Sequence, residues 1–342
     1  MRRKRRNYVT WIVSAVISVV LIAIMWLGAD MSRNGRMLKF GYVAVNSDVI
    51  SGLTGIAIDQ GYMAEELNKV HAEFQPMPFA KGGPAVNQAL AGGNIDMAQL
   101  GEVPAAVAKS RGAETTLIDV QPLDYSTHIV TRKGLGAQSV RELAGKTVAV
   151  QFGSSQHIVL LKLLQQNGLT ETDLHLINMT EVDAATAVST GSIDAAVTTA
   201  AKGFLLAQAG NADVLFDTKG HPELSRLTVF VVRSQFAREH PEILTAYYRA
   251  LLRAREYIKN HPEDMRALYI KAGTDSSVID TVYPQLTDYG TDVGAKDENL
   301  QRYSGIIQFL QQRQVIDTPV DISQWYNGEY YQNALKEMSS SS

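Results

Sequence analysis

The chain has 342 residues, enough for two ordinary domains, with 45% apolar and 20% charged side chains, a globular rather than a disordered balance. It contains no cysteine, which excludes disulfides, thiolate metal sites, cysteine nucleophiles and a lipid-modified N-terminal cysteine. Of its 32 Lys and Arg residues five lie within residues 1–6, leaving 27 against 35 Asp and Glu in the rest of the chain, about −8. That balance argues against nucleic acid as a partner but leaves room for a small anion, which answers to local groups.

The basic start is followed by residues 11–29 (WIVSAVISVVLIAIMWLGA), which carry no charge. At ~1.5 Å per residue a helix of that length spans ~28 Å, close to the hydrocarbon thickness of a bilayer. The basic flank predicts a cytoplasmic N-terminus and export of everything after Asp30. Leu27-Gly28-Ala29 is a poor cleavage site, so residues 1–30 read either as a signal peptide or as a membrane anchor; both place the working part outside the cytoplasm, in the periplasm.

From Leu38 onward, β-branched apolar runs alternate with helical patterns. Strands are predicted at 38–45, 72–77, 95–100, 115–120, 127–132, 146–152, 174–178, 193–198, 212–216 and 226–233. Helices are predicted at 53–66, 84–91, 103–110, 156–167, 182–190 and 201–209, and after Arg233 the pattern is helical only. Such alternation means an α/β fold built from parallel βαβ units with helices on both faces of a sheet. In 241–259, Ile243, Leu244, Tyr247, Leu251, Leu252 and Ile258 form one apolar face. The aromatic run at 324–331 reads as a seam packing a terminal helix.

One internal echo stands out. Residues 89–98 read ALAGGNIDMA and residues 187–196 read AVSTGSIDAA, with Gly, Ile, Asp and Ala at 93, 95, 96 and 98 recurring at 191, 193, 194 and 196. Gly-x-Ile-Asp is a simple way to leave a helix and enter a strand. Yet each copy is followed by a short strand, a polar turn and an Ala-rich helix, which predicts two α/β lobes on one plan.

In open parallel sheets, ligands sit beyond the carboxyl ends of the strands, where helix N-termini also point. The loops at such positions carry Asn46 and Ser47, Lys81 to Gly83, Gly101 and Glu102, then Gly153, Ser154, Ser155 and Gln156, and finally Thr199 to Lys202. Gly153 allows a tight turn, and Ser154 or Ser155 can cap the following helix, whose N–H groups and dipole suit an oxyanion. A plain helix cap gives the same three residues. Glu102 opens its helix, where an acidic residue also suits the dipole; Asn46-Ser47 is also ordinary turn chemistry. His157 reads as a satisfied, partly buried histidine or as a group reaching an anion, Lys202 as a solvated lysine or a cation for the ligand. Tyr289 is the late residue most suspected of entering the cleft. The histidines show no metal-ligand spacing, and no metal site or cofactor is predicted.

Read in order, FGYVAV, FAKGGPAVNQALAGGNIDMAQLGEVPAAVAKSRGA, VRELAGKTVAVQFGSSQHIVLLKLLQQNGLTETDL, TGSIDAAV and FVVRSQFAREHPEILTAYYRALLRA resemble the extracytoplasmic binding proteins of ABC importers for aliphatic sulfonates, taurine and nitrate. The resemblance implies a type II periplasmic-binding-protein fold. Lobe one would comprise residues 38–124 plus 228–336 and lobe two residues 125–227, with hinge crossovers near 122–127 and 223–229. It also implies that the Gly153-Ser154-Ser155 turn and the loop around Gly101-Glu102 hold a small anionic head group, that the partner is a membrane permease, and that no catalytic residues are needed. Where sulfonate binders often carry Trp-Asp-Pro-aromatic, this chain has Thr199-Ala200-Ala201-Lys202, which puts taurine in doubt. A pyrimidine vitamin precursor is the alternative ligand, and a lyase on the same fold the alternative class. Nothing in the sequence signals an oligomer, so a monomer is expected.

Overall fold

The computed structural model describes residues 36–44, 47–123, 126–283 and 291–340. The apolar segment at 11–29, Asn46 and Tyr289 lie outside the described residues. Among the described residues no helix is long and apolar enough to cross a membrane.

The chain opens with β1 (Arg36–Val43), α1 (Gly52–Asp59), α2 (Tyr62–Asn68), β2 (Ala72–Phe79), α3 (Gly83–Ala91), β3 (Met97–Gly101), α4 (Glu102–Ser110) and β4 (Thr115–Leu123). It then builds β5 (Thr127–Arg132), β6 (Thr147–Val150), α5 (Ser155–Gln166), β7 (His175–Asn178), α6 (Glu181–Ser189), β8 (Ala195–Thr199), α7 (Ala200–Gln208) and β9 (Ala212–Asp217). Among the described residues, strand β10 (Arg226–Arg233) precedes seven α-helices. These are α8 (Ser234–Glu239), α9 (Pro241–Ile258), α10 (Pro262–Lys271), α11 (Ser276–Val282), α12 (Asp297–Gln312), α13 (Ile322–Trp325) and α14 (Glu329–Ser340).

Among the described residues two five-stranded sheets result, in the orders β2-β1-β3-β10-β4 and β7-β6-β8-β5-β9. The two orders are the same plan. In each, three strands pair parallel and one strand runs antiparallel between its neighbours: β10 between β3 and β4, and β5 between β8 and β9. The antiparallel strand is the one that arrives from the other sheet, with no crossover helix before it to reverse the chain. The chain passes between the sheets after Leu123 and again between Asp217 and Arg226.

The sequence echo has a structural counterpart at every position. Helices α3 and α6 both end on a glycine of positive φ, Gly93 (71°) and Gly191 (73°), which only a residue without Cβ adopts at no cost. Three residues on, Asp96 accepts from the Lys39 amide (3.1 Å) and from Arg233 Nη2 (2.6 Å). Asp194 accepts from the Thr147 amide (3.0 Å) and from Arg132 Nε (3.1 Å). Each aspartate therefore ties a parallel strand to the antiparallel strand of its own sheet.

The helix predicted at 53–66 is two helices, because Gly61 takes φ 76°. That left-handed residue closes α1, donating to the Ile58 carbonyl, and its own carbonyl receives Glu65 N to start α2. All six residues of the apolar face predicted for α9 are buried, and they join α1, α2, α10 and α11 in one core against the first sheet. The second sheet is covered by the inner faces of α5 and α6. In the aromatic run near the C-terminus, Trp325 and Tyr330 are buried, with Tyr330 donating to the Ala237 carbonyl.

Candidate functional site

The helices that follow parallel strands start at the strands' carboxyl ends, so α3, α4, α5, α6 and α7 all present N-termini at the edges of their sheets. At one place the N-termini of two helices from different sheets meet. A Cβ added at Gly101, the cap of α4, would lie 2.7 Å from Ser155 Oγ, the first residue of α5. Ser155 donates to Glu102 Oε2 at 2.9 Å, and the Leu227 amide at the start of β10 donates to the same oxygen at 3.3 Å. Both side chains are buried, Glu102 at 3% exposure and Ser155 at 6%. Burial pushes the Glu102 carboxyl up, opposed by the Arg226 guanidinium and by these hydrogen bonds. Tyr303 OH donates to the Glu102 carbonyl from α12.

Around this point the two halves press together. Helix α5 is amphipathic twice over. Val159, Leu160, Leu163 and Leu164 pack on its own sheet, while Ile158 and Leu161 enter the core of the first sheet beside Val103 and Leu227. Lys162 donates to the Glu223 carbonyl and lies 5.7 Å over the Phe309 ring; Arg313 reaches Gln165 Oε1 at 3.0 Å. Burial lowers the Lys162 ammonium, opposed by Glu102, and Arg302 lowers it further. On α7, Ala201, Phe204 and Leu205 pack against the core that contains Tyr283 and Ile279.

Among the other predicted residues, Gly153 takes φ 74° and makes the turn into α5. Ser154, not Ser155, is the cap: its Oγ accepts from His157 N at 3.2 Å and donates to the Gln151 carbonyl at 2.6 Å. Gln156 is half-buried on the first turn. Gly83 is held by packing, since a Cβ there would meet Pro104 at 2.6 Å, and Gly82 (φ 75°) lies beside the Gln151 side chain from the other sheet. Ser47 accepts from the Val49 amide. Thr199 caps α7, accepting from Lys202 N, while its own amide is taken by Glu181. These bonds of Ser47 and Thr199 stay within their own half of the molecule, unlike the contact between Ser155 and Glu102. His157 turns away from that contact: it stacks on Phe152 (4.9 Å between centroids) and reaches Glu171 at 3.3 Å. Burial lowers its pKa against the pull of Glu171.

Sequence reasoning missed Arg226 and Lys162 as charges facing Glu102, and Glu181 as the partner of Thr199. Arg226 carried a signal: an arginine opening the apolar strand RLTVFVVR at a crossover has little water to face. Among the described residues no group of three or more His, Asp or Glu side chains is placed to hold a metal ion.

Two sheets of matching order, linked by two crossings and meeting at helix N-termini, make the periplasmic-binding-protein fold. The chain belongs to the NMT1/THI5-like family, whose model matches residues 56–265, well over half of it. It is 30% identical over 181 residues to the taurine-binding periplasmic protein of Escherichia coli, a match covering 52% of this chain and 56% of that protein. It is 25% identical over 330 residues to a Bacillus subtilis protein named provisionally as aliphatic sulfonates-binding, covering 94% of this chain and 97% of that one. Among solved structures it resembles the periplasmic aliphatic sulphonate binding protein SsuA of E. coli, with TM-score 0.68, 22% identity, and 85% and 91% of the two chains covered. The desulfurization enzyme DSZB shares the fold too, with TM-score 0.69, 17% identity, and 89% and 99% covered. At these identities the solved structures speak for the fold alone.

Proposed function

We propose that this chain captures a small oxyanionic solute of the sulfonate type between its two sheets and delivers it to an ABC permease outside the cytoplasm. The observation that carries the reading is the meeting of Gly101 and Ser155, two helix N-terminal residues from different sheets, around a buried hydroxyl that holds a carboxylate. Backbone amides and a hydroxyl at a helix start favour an oxyanion, here next to Arg226 and Lys162. The sulfonate and taurine named for the relatives support this ligand class over a pyrimidine.

Residues 38–124 with 228–336, and residues 125–227, act in this reading as two lobes that close by a hinge at the two crossings. Closure would present a new surface to the permease, and a retained N-terminal anchor would keep the protein near it. A monomer suffices. The reading is of a binding protein rather than an enzyme: two relatives are named for binding, and the chain has no thiol for nucleophilic chemistry.

A thermal-shift screen of the purified chain against alkanesulfonates, nitrate, phosphonates and pyrimidines tests it, since a ligand stabilises by RT ln(1 + [L]/Kd). Stabilisation by a sulfonate is the expected result. Stabilisation by a pyrimidine alone, or by none of the four, contradicts the proposal.

A further inference from the structure

We propose that the Glu102 carboxylate is the protein's own competitor for the anion, occupying the Ser155 hydroxyl until a solute's oxyanion displaces it. The proposal rests on the reading of the Gly101–Ser155 meeting point as the anion site. A serine hydroxyl has one hydrogen to give, and here it goes to Glu102 Oε2 at 2.9 Å. A sulfonate, like a carboxylate, only accepts. Both therefore cannot take that hydrogen at once, and two negative groups at one buried donor repel. The Leu227 amide is in the same position, since it too donates to Oε2.

The groups facing Glu102 come from three elements. Arg226 on β10 and Lys162 on α5 are cations, and Tyr303 on α12 is a neutral phenol whose hydroxyl bonds the Glu102 carbonyl. These cations would pass from the internal carboxylate to the incoming oxyanion. The contact crosses between the sheets, from α4 of the first to α5 of the second, so the exchange takes place at the seam where the halves close. Burial raises the Glu102 carboxyl, so acid neutralises the competitor at a pH above the ordinary glutamate range. A sulfonate stays anionic throughout. Its binding should therefore tighten as pH falls. His157, one turn along α5, also gains charge in acid, so the variant and not the slope alone assigns the effect.

The test is calorimetric titration of the full chain with ethanesulfonate from pH 5 to 8, in wild type and Glu102→Gln. The expected result is about tenfold tighter binding by Glu102→Gln at pH 8, with most of the wild-type pH slope gone. Weaker binding, or an unchanged slope, overturns the competitor role. Should Glu102→Gln fail to fold, Glu102→Ala at pH 8 decides the point, and binding no tighter than wild type overturns the competitor. If wild type binds no sulfonate at any pH, the anion-site reading fails and the competitor with it; if wild type binds and Glu102→Gln binds no tighter, the competitor alone fails.

Discussion

Asp96 and Asp194 make the same two contacts in the two sheets, each carboxylate joining a strand amide to an arginine on the antiparallel strand. Both sets of bonds stay within one sheet, away from the seam that Ser155 crosses. Their place in the repeated Gly-x-Ile-Asp is therefore architectural.

We predict that Asp96→Ala and Asp194→Ala each lower the unfolding free energy by about 2 kcal/mol, as expected for hydrogen bonds to a charged group. The Thr147 amide, helped by Arg132, holds the Asp194 carboxyl below its ordinary 3.8. Its contribution is thus complete above that value and lost as pH falls through the lower, folded one. Urea unfolding at pH 7 and pH 3 checks this: the deficit of Asp194→Ala should shrink at the acid value, and a deficit that grows there would contradict it.

Asp119 on β4 behaves in the opposite sense. It is fully buried and accepts from the amides of Gly294 and Val120 and from Gln121, yet burial dominates and pushes its carboxyl up to about 7. The unfolded carboxyl ionises near 3.8, so between these values the unfolded chain is the one that has released its proton. Stability from this group is present below the lower value and lost as pH rises through the upper. We predict that Asp119→Asn gains on wild type by about 4 kcal/mol between pH 4 and pH 8. Parallel urea profiles for the two proteins across that range would show that the group does not titrate as stated.

Gly101 has φ −67°, open to any residue, so its glycine is required by space and not by backbone conformation. An added methyl would lie 2.7 Å from Ser155 Oγ, and it meets the other sheet's helix there. Gly101→Ala is predicted to leave unfolding free energy within about 1 kcal/mol and to weaken sulfonate binding about tenfold. Thermal melts and titrations on the same preparation separate the two effects; full affinity in the variant would mean that the halves do not close at this contact.

Much of this architecture is legible in the chain because its cues are local. Ile-Asp after a helix-ending glycine marks a strand start twice, and alternating apolar runs mark all ten strands seen among the described residues. What Asp96 and Asp194 hold is not legible, since Lys39 and Arg233, or Thr147 and Arg132, are far away in sequence. Gly61 is hidden inside an unbroken apolar pattern, where one left-handed residue splits a helix without changing its periodicity. The order of loops at the strand ends brings Gly101 and Ser155 forward as candidates. That Ser154 caps the helix and leaves Ser155 to meet Glu102 depends on a single residue of register. Lys162 looks like an ordinary surface cation until the packing of α5 against the first sheet surrounds it.

The central claim is that the Ser155 hydroxyl, aimed across the seam between the sheets, binds the anion. Titration of Ser155→Ala with ethanesulfonate at pH 6, beside wild type, tests it most directly. Removing one donor to a charged group is predicted to weaken binding by about ten- to a hundredfold while the melting behaviour stays near wild type. Wild-type affinity in Ser155→Ala would contradict the account.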